Sequence, residues 1–528
     1  MANNPRTEEK HPTIFNPAIL IVIVLMAVIG AMIGVQLITT LGISANTSIV
    51  GAVFAMILAR IPLRYLVKFK SIHSQNLVQT SISAATFGAA SSLMLPIGIP
   101  YVLDMPHLIT PLFIGVTLAM LVDAVLLYKM FDTKVFPAKG AWPPGIATAE
   151  AIKAGDEGGS RAKYLLTGIG IGIVGALLKI PMSAFGVAFI GNIWALTMFG
   201  IGLLLRGYSV PLFGIDINEL YIPHGFMIGA GIVALVQVIV LIFNKKKKEN
   251  VQEEEFSKSN KELGQAFGLG FIAYTAIAIL LAVMGGLYTD MSIGMLIGFI
   301  FFAMLAAFAH ELIVGIAAMH AGWFPAFAVA LITLIIGILI GFPAEALALL
   351  VGFSACTGVA FADMGYDLKT GYILRGNGKD MEFERMGRRN QLFAGFVGFI
   401  VAAVVVLLSF EAYFSQGLIP PVDLVYAATI ESGISNGIAT QLVLWAIPGA
   451  ILQLLGGSKR QMGILFATGL LLLTPIAGWA VLTGIVLRII IMKKGKGKYE
   501  QQMTITAAGI IAGDAIYSFM NSILKAGK

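Results

Sequence analysis

Long apolar segments alternate with short polar connections along nearly the whole chain, from Asn16 to Met520. Each segment holds about 20 mainly apolar residues, which as a helix is enough to cross a bilayer core of roughly 30 Å. The segments do not alternate polar and apolar residues with a period of two, as the strands of a membrane barrel must. The pattern therefore predicts an all-α polytopic integral membrane protein with about sixteen transmembrane helices.

The charge lies in the connections between these segments. Of the 528 residues, 58% are hydrophobic and 12% are charged, whereas a soluble protein carries roughly 25% charged residues. The net charge of +7 arises largely in basic connections such as 60–70, 129–139 and 369–389. Because cytoplasmic loops collect Lys and Arg, topology explains this charge, and nucleic acid is not a predicted partner. We predict a multi-pass protein of the cell (cytoplasmic) membrane, in contact with its lipid.

One connection, "NKKKKENVQEEEFSKSNKELG", is long and highly charged, and it divides the chain near its middle. Its mixture of charges cannot bury a core. We predict an N-terminal membrane half (1–244), a charged cytoplasmic linker (245–264) and a C-terminal membrane half (265–528). The polar start "MANNPRTEEKHPT" precedes the first apolar segment without a small-residue cleavage pattern, so that segment is expected to remain as an anchor.

The two halves are weakly similar to each other at an offset of 281 residues. "FPAKGAWPPGIATAE" in the first half corresponds to "LIPPVDLVYAATIE" in the second, and Gly168 corresponds to Gly449. Both quoted segments are short, are interrupted by proline and end in a carboxylate. Matching broken segments in two halves indicate the binding site of a transporter. We therefore expect two related halves with short broken or re-entrant segments.

The chain contains no complete enzyme motif. Cys356 is the only cysteine, which excludes an intrachain disulfide and a cysteine metal cluster. "HELIVGIAAMH" begins like the zinc-protease motif H-E-x-x-H, but Val314 stands in place of the second histidine. We predict no enzyme activity, no cofactor and no metal site.

Five stretches are similar to the oligopeptide transporter family, which includes the yellow-stripe-like carriers of metal chelates. They are "GISANTSIVGAVFAMILARIP" (42–62), "NLVQTSISAATFGAA" (76–90), "FPAKGAWPPGIATAEAIKAG" (136–155), "FADMGYDLKTGYIL" (361–374) and "AAGIIAGDAIYSFM" (507–520). The resemblance covers nearly the whole chain. It departs at 310–332, where the family usually has a Gly-, Ser- and Asn-rich segment and this chain has His, Trp and Phe.

The resemblance implies about sixteen helices and secondary transport, driven by protons, of small oligopeptides or peptide-like compounds. Metal-chelate (siderophore-like) complexes are the alternative substrate, and a passive channel is a further alternative function. The expected partners are a small-molecule substrate, protons and membrane lipid, and a homodimer is compatible with the sequence.

Four residues are candidates for proton coupling because an ionisable group at membrane depth normally faces a cavity or a partner. Glu150 and Glu431 end the two proline-interrupted segments, and Glu150 is the leading candidate. Both would instead be helix caps if they lie just outside the membrane. His310 and Glu311 form an adjacent pair in an apolar segment, for which a polar contact between helices is the alternative.

The candidate substrate-binding residues are polar groups in or beside apolar segments. Some lie where a short connection could cap a half-helix, and others share one helical face at i, i+3 and i+4. They are Asn46, Thr47, Asn76, Gln79, Thr80, Thr148 and Thr429.

Two aspartates and a lysine follow the apolar segment that ends near residue 362. Asp363 and Asp367 are four residues apart and share a helical face, and Lys369 is placed to neutralise one of them. The stretch resembles the D-L-K-T-G signature of the family. A gate and a structural turn at the cytoplasmic face are both open interpretations.

Overall fold

The computed structural model describes residues 11–41, 48, 51–52, 55–56, 70–243, 257–322, 325–433, 437–495 and 499–526. These residues are almost entirely helical. Ten of the described helical runs are long and apolar enough to cross a membrane, and three shorter helices are also apolar. The predicted class, an all-α polytopic membrane protein, is confirmed.

The α-helices are numbered here in chain order. They are α1 (Pro17–Leu41), α2 (Ile72–Phe87), α3 (Leu95–Val102), α4 (Ile109–Met130), α5 (Pro143–Glu157), α6 (Gly159–Leu177), α7 (Met182–Val187), α8 (Ile193–Phe213), α9 (Ile222–Phe243), α10 (Asn260–Met284), α11 (Leu287–Asp290), α12 (Ile293–Ala321), α13 (Ala326–Ile340), α14 (Ala344–Cys356), α15 (Val359–Leu374), α16 (Met381–Phe414), α17 (Pro421–Ser432), α18 (Ile438–Arg460), α19 (Met462–Leu471), α20 (Pro475–Gly495) and α21 (Glu500–Ala526).

Several helices begin at residues that cap free backbone amides. Ser259 forms a capping box with Glu262 at the start of α10, and the side chains of Asn192 and Asp380 accept amide hydrogen bonds at the starts of α8 and α16. Such caps satisfy donors that have no partner within the helix. The proline-rich segments start short helices instead, because proline fits the first turn of a helix: Pro143 begins α5 and Pro421 begins α17.

Two equivalent helix pairs join the halves at the offset seen in the sequence. Helix α6 packs against α21, and α18, which corresponds to α6, packs against α9, which corresponds to α21. A Cβ on Gly168 of α6 would lie 2.2 Å from the carbonyl oxygen of Thr506, and a Cβ on Gly449 of α18 would lie 2.1 Å from that of Phe226. Glycine allows this close backbone approach. The matched contacts are those of an internal repeat whose helices pair across the two halves.

The same offset relates α7 to α19 and α8 to α20. Helix α8 packs on α19, and α7 packs on α20. Helix α10 lies where the packing of the two halves differs. It packs between α4 and α12, whereas α16 and α1, their counterparts in the other half, touch each other directly.

Two long runs occupy the interior. Residues 72–102 and 344–374 each span 31 residues, and 94% and 100% of their most apolar windows are buried. Gln79 bonds to Asp367 and Ser83 bonds to Asp363. The residue number rises along α2 while that of its bonded partner falls along α15, so the two helices run antiparallel.

Both interior runs lose α-helical geometry near their middle. The first turns into a π-helical segment at Gly88–Met94. The second breaks between α14 and α15, where Thr357 is extended and Gly358 has φ +86°. π-Segments are frequent at functional sites. Irregular backbone at membrane depth is tolerated only inside protein or beside a cavity, so these breaks mark the region in which to look for a site.

Candidate functional site

The two aspartates of α15 lie in the protein interior. Asp363 is 1% exposed and Asp367 is 0% exposed. Ser83 Oγ donates to Asp363 Oδ1 at 2.5 Å, and Gln79 Nε2 donates to Asp367 Oδ1 at 2.6 Å. The second oxygen of each carboxyl has no hydrogen-bond partner among the described residues. Of the two interpretations of this stretch, the cytoplasmic turn does not apply, because residues 359–374 form a buried helix.

Lys369 does not neutralise either aspartate. Its Nζ donates to the carbonyl oxygen of Ala138 at 2.8 Å, in the connection between α4 and α5. Thr370, the next residue, donates to the carbonyl oxygen of Gly145 in the first turn of α5. The lysine therefore anchors α15 to this connection, on a different side of the helix from the aspartates.

The polar residues that share one face of α2 make contacts between helices. Asn76 Nδ2 donates to Gln79 Oε1 at 3.0 Å, and Gln79 in turn donates to Asp367. Thr80 Oγ1 accepts a hydrogen bond from Gln391 of α16 at 3.2 Å. All three residues of this face are buried. Their proposed role in binding substrate stays a prediction.

A third aspartate lies at the break between α14 and α15. Asp123, on α4, is 0% exposed. The backbone N–H of Gly358 donates to its Oδ2 at 2.8 Å, and the hydroxyl of Tyr274 on α10 donates to its Oδ1 at 2.6 Å. Gly358 is the N-cap of α15, so Asp123 lies at the positive end of that helix dipole. Each oxygen of Asp123 therefore accepts one hydrogen bond.

Glu311 and His310 lie on α12 beside the same break and are both 0% exposed. His310 Nδ1 donates to the carbonyl oxygen of Ser354, at the end of α14. Glu311 lies beside Tyr274 and Asp123, but neither of its oxygens has a hydrogen-bond partner among the described residues. The pair is therefore split: His310 caps the broken helix, and Glu311 faces the Asp123 carboxyl.

Glu150 is buried between α5 and α6. Its Oε2 accepts a hydrogen bond from Arg161 Nη1 at 2.8 Å. Burial raises the pKa of Glu150 above its ordinary value, although the charge of Arg161 opposes this shift. Thr148, two residues earlier, is also buried, and its hydroxyl is bonded to the carbonyl oxygen of Pro144.

The corresponding residues of the second half have different surroundings. Glu431, near the end of α17, is exposed, and the Thr429 hydroxyl donates to the carbonyl oxygen of Val425 in its own helix. Helices α5 and α17 pack against different neighbours, so the structure does not bring Glu150 and Glu431 together. Two other predicted binding residues, Asn46 and Thr47, lie outside the described residues.

A buried ionic chain connects α15 to the connection after α4. Glu384 Oε1 and Oε2 accept hydrogen bonds from Arg388 Nε at 2.6 Å and from Arg375 Nε at 2.7 Å. Arg375 Nη1 donates to Gln391 Oε1 at 2.8 Å, and Arg388 Nη2 donates to Asp132 Oδ2 at 3.2 Å. The chain thus links the interior helices to the face that carries the basic connections.

Asp132 receives the outer end of this chain. Burial opposes its ionisation, but the hydrogen bond from Ser257 and the charge of Arg388 hold the pKa of Asp132 below its ordinary value. Ser257 and Lys258 belong to the last residues of the predicted linker. Lys258 Nζ donates to the carbonyl oxygens of Tyr128 and Lys129, so this end of the linker is docked at the C-terminus of α4.

Sequence reasoning did not identify Asp123 or Tyr274. Asp123 is the only acidic residue in α4, and a lone carboxylate in a membrane span is by itself a functional signal. Tyr274 has no comparable signal, because its role depends on the packing of α10 between α4 and α12. The break at Thr357–Gly358 was also missed, since these residues interrupt a continuously apolar stretch without a proline.

The interior runs, broken or distorted around buried carboxyls, have the architecture of a membrane transporter. The chain matches the family model described as OPT oligopeptide transporter protein over residues 15–244 and 234–525. It therefore belongs to the OPT oligopeptide transporter family, whose members carry oligopeptides or related compounds across membranes and are not enzymes. No curated protein sequence matches the chain significantly.

Proposed function

We propose that this protein is a proton-coupled symporter that carries small oligopeptides or peptide-like compounds across the cytoplasmic membrane. The observation that supports coupling is the contact between α2 and α15. Asp363 and Asp367 are buried there, each with one oxygen bonded to α2 and one without a partner. Among the described residues, neither carboxyl is paired with a cationic side chain within 4.0 Å.

An unpaired carboxylate away from water costs several kcal/mol. A dry contact between α2 and α15 therefore requires Asp363 and Asp367 to be protonated, and their ionisation requires water to enter between the helices. Proton binding would close this contact and proton release would open it. A change in water access that follows the protonation state is what alternating access needs from its coupling ion.

The test is uptake of a labelled tetrapeptide into proteoliposomes with an imposed pH gradient, acidic outside. Wild-type protein should concentrate the peptide, and a protonophore should abolish accumulation. Uptake that is unaffected by the protonophore would favour a passive channel. Competition by ferric or nickel chelates that exceeds competition by unlabelled peptide would favour chelates as the substrate.

Asp367→Asn tests the proposed gate. It keeps the size of the side chain and its bond from Gln79 but removes titration, so accumulation driven by the pH gradient should be lost while exchange of labelled for unlabelled peptide continues. Asp290→Asn is the matched control, because Asp290 is exposed at the end of α11. Accumulation by Asp367→Asn at the wild-type rate would exclude Asp367 as a coupling group.

Glu150→Gln tests the coupling residue predicted from sequence. If Glu150 takes up the coupling proton, this variant should also lose gradient-driven uptake and keep exchange. The Arg161→Gln variant distinguishes the effect of the ion pair from the effect of titration, since it removes the ion pair and leaves Glu150 able to titrate. Wild-type uptake by Glu150→Gln would exclude Glu150 as the coupling group and leave Asp363 and Asp367 as the candidates.

A further inference from the structure

Two histidines and a phenylalanine form a cluster of rings near the start of the described chain. His11 precedes α1, His73 lies in the first turn of α2, and Phe383 lies in the first turn of α16. The ring centroids of His11 and His73 are 5.3 Å apart, and the Phe383 ring lies 5.2 Å from the first and 5.0 Å from the second. Each ring therefore contacts the other two, and the cluster joins three separate parts of the chain.

The hydrogen bonds of the two histidines suit neutral rings. His11 Nδ1 lies 2.9 Å from the carbonyl oxygen of Pro12 and must donate to it, because a carbonyl oxygen can only accept. His11 Nε2 is buried without a hydrogen-bond partner among the described residues, and so is His73 Nδ1. In the cation both ring nitrogens carry a proton. Each protonated ring would therefore hold a buried N–H without an acceptor, which is unfavourable.

The surroundings of the pair also oppose a positive charge. Two protonated rings with centroids 5.3 Å apart would repel each other. Among the described residues, the charged groups that act on both rings are Arg375, just after α15, and Glu384, on α16. Both oxygens of Glu384 already accept hydrogen bonds from arginine. Burial lowers the pKa of His11 from its ordinary value of 6.5 to about 4.

The cluster fastens the N-terminal segment, residues 11–16, to the helix that holds the interior aspartates. Ile14 is 1% exposed, and its N–H donates to Asn390 Oδ1 of α16 at 3.2 Å. Its side chain belongs to a buried apolar cluster that includes residues of α2 and α16. Helix α2 supplies the hydrogen bonds to Asp363 and Asp367, so the docked segment supports that contact from behind.

We propose that His11 and His73 form a pH-sensitive latch, in which the N-terminal segment stays docked while both rings are neutral and is released when they take up protons. The latch lies beside the basic connection 369–389, on the face that the sequence predicts to be cytoplasmic. Protons carried in by symport would lower the pH on that face, release the segment and loosen the support of α2. Transport would thus limit its own acidification of the cytoplasm. This regulation rests on the proposed function, whereas the latch itself does not.

The sign of the pH dependence follows from His11. Its pKa is lowered in the docked segment, so docking is fully favoured above about pH 6.5, the ordinary value of a released histidine. Below that pH, release takes up a proton, and the docking equilibrium weakens by about tenfold for each pH unit until the docked ring itself titrates. A latch of this kind responds in the range where histidine is the usual pH switch.

The first test measures release in the full-length protein through Ile14→Cys, combined with Cys356→Ser to remove the only native thiol. The rate of maleimide labelling at pH 7.5 and at pH 5.5 is compared with that of the same cysteine in a variant carrying His11→Gln and His73→Gln. The effect of pH on the thiol itself cancels in this comparison. Relative to that variant, labelling should rise by about tenfold at the lower pH for each histidine that takes up a proton.

The comparison holds even if the double-histidine variant docks poorly, because its released fraction no longer depends on these two rings. His107→Gln is the matched control, since His107 is exposed before α4, and it should keep the pH dependence of wild type. An equal pH dependence of labelling with and without His11 and His73 would overturn the latch.

The second test is exchange of labelled for unlabelled tetrapeptide in proteoliposomes with the same pH on both sides. The exchange rate of wild type relative to the double-histidine variant should fall severalfold from pH 7.5 to pH 5.5, because only wild type releases the segment. An unchanged ratio would overturn the regulation. Absence of exchange by both proteins at every pH would overturn the proposed function and the regulation with it, while the labelling result would still decide the latch.

Discussion

Glu384 lies between two guanidinium groups with no exposed side-chain surface, which makes it a sharp test of how the interior is stabilised. It accepts two hydrogen bonds from Arg375, at 2.7 and 3.1 Å, and one from Arg388 at 2.6 Å. The side chains of Arg375 and Glu384 are 0% exposed and that of Arg388 is 4% exposed. Glu384→Gln keeps the shape of the side chain, but it leaves Arg375 without a carboxylate partner within 4.0 Å among the described residues and leaves Arg388 with Asp132 alone.

Removing one partner of a buried ion pair costs about 3–5 kcal/mol. At about 1.4 kcal/mol per factor of ten, this is a change of roughly two to four powers of ten in the unfolding equilibrium. The assay is reversible unfolding in mixed detergent micelles, followed by the fluorescence of the native tryptophans. The matched control is Glu382→Gln, two residues earlier on α16 and exposed, which should stay within about 0.5 kcal/mol of wild type.

A loss below about 1 kcal/mol in Glu384→Gln would refute this reasoning. It would mean that water reaches the pair and screens it as it does a surface ion pair. The double variant Glu384→Gln with Arg388→Gln sharpens the test. It removes one positive charge together with the negative one, which restores the charge balance that Glu384→Gln upsets, so it should be less destabilised than the sum of the two single variants.

Three further predictions concern helix packing, pH and topology. Gly168→Ala should lower the free energy of unfolding by about 1–3 kcal/mol, because the new Cβ would lie 2.2 Å from the Thr506 carbonyl oxygen. Gly170→Ala is the control: its Cβ would meet open space, so it should be neutral or slightly stabilising in the same unfolding assay. Asp132→Asn should lose stability by an amount that is constant from about pH 5 to 8, because a depressed pKa gives stability that is complete above the unfolded value of about 3.9. The loss should shrink as the pH falls below that value through the lower folded pKa of Asp132, and an equal difference at all pH values would contradict this. A cysteine introduced at Ser259 should be labelled by an impermeant reagent only from the cytoplasmic side, and labelling from outside intact cells would reverse the topology.

The sequence predicted the all-α membrane class, because that class depends on a local pattern of apolar residues. About sixteen membrane spans were expected, and ten of the described helical runs are long and apolar enough to cross a membrane. The sequence prediction ended an apolar segment near residue 362, before Asp363 and Asp367, since a hydropathy pattern ends a span at the first charged residues. The structure continues the helix because Gln79 and Ser83 on α2 satisfy those carboxyls. A partner so far along the chain leaves no local signal.

The two proline-interrupted segments that end in Glu150 and Glu431 also show that a local pattern does not determine burial. Their similar letters predicted similar positions, yet Glu150 is buried against Arg161 and Glu431 is exposed. A repeat in sequence fixes which helices correspond, while the burial of each side chain depends on neighbours that differ between the halves. The packing of α10 between α4 and α12 is one such difference, since α16 and α1, their counterparts, touch each other directly.

The pairing of α6 with α21 has a consequence for how the protein is made. The glycine face of α6 must wait for α21, because its partner surface around Gly509 is synthesised only after the intervening helices. At about 5–20 residues per second, that interval is on the order of tens of seconds. During that interval the glycine face of α6 lacks its partner helix, so lipid or another protein must cover it until α21 has been inserted. A chain that stops before Glu500 would leave that face permanently open to quality-control proteases.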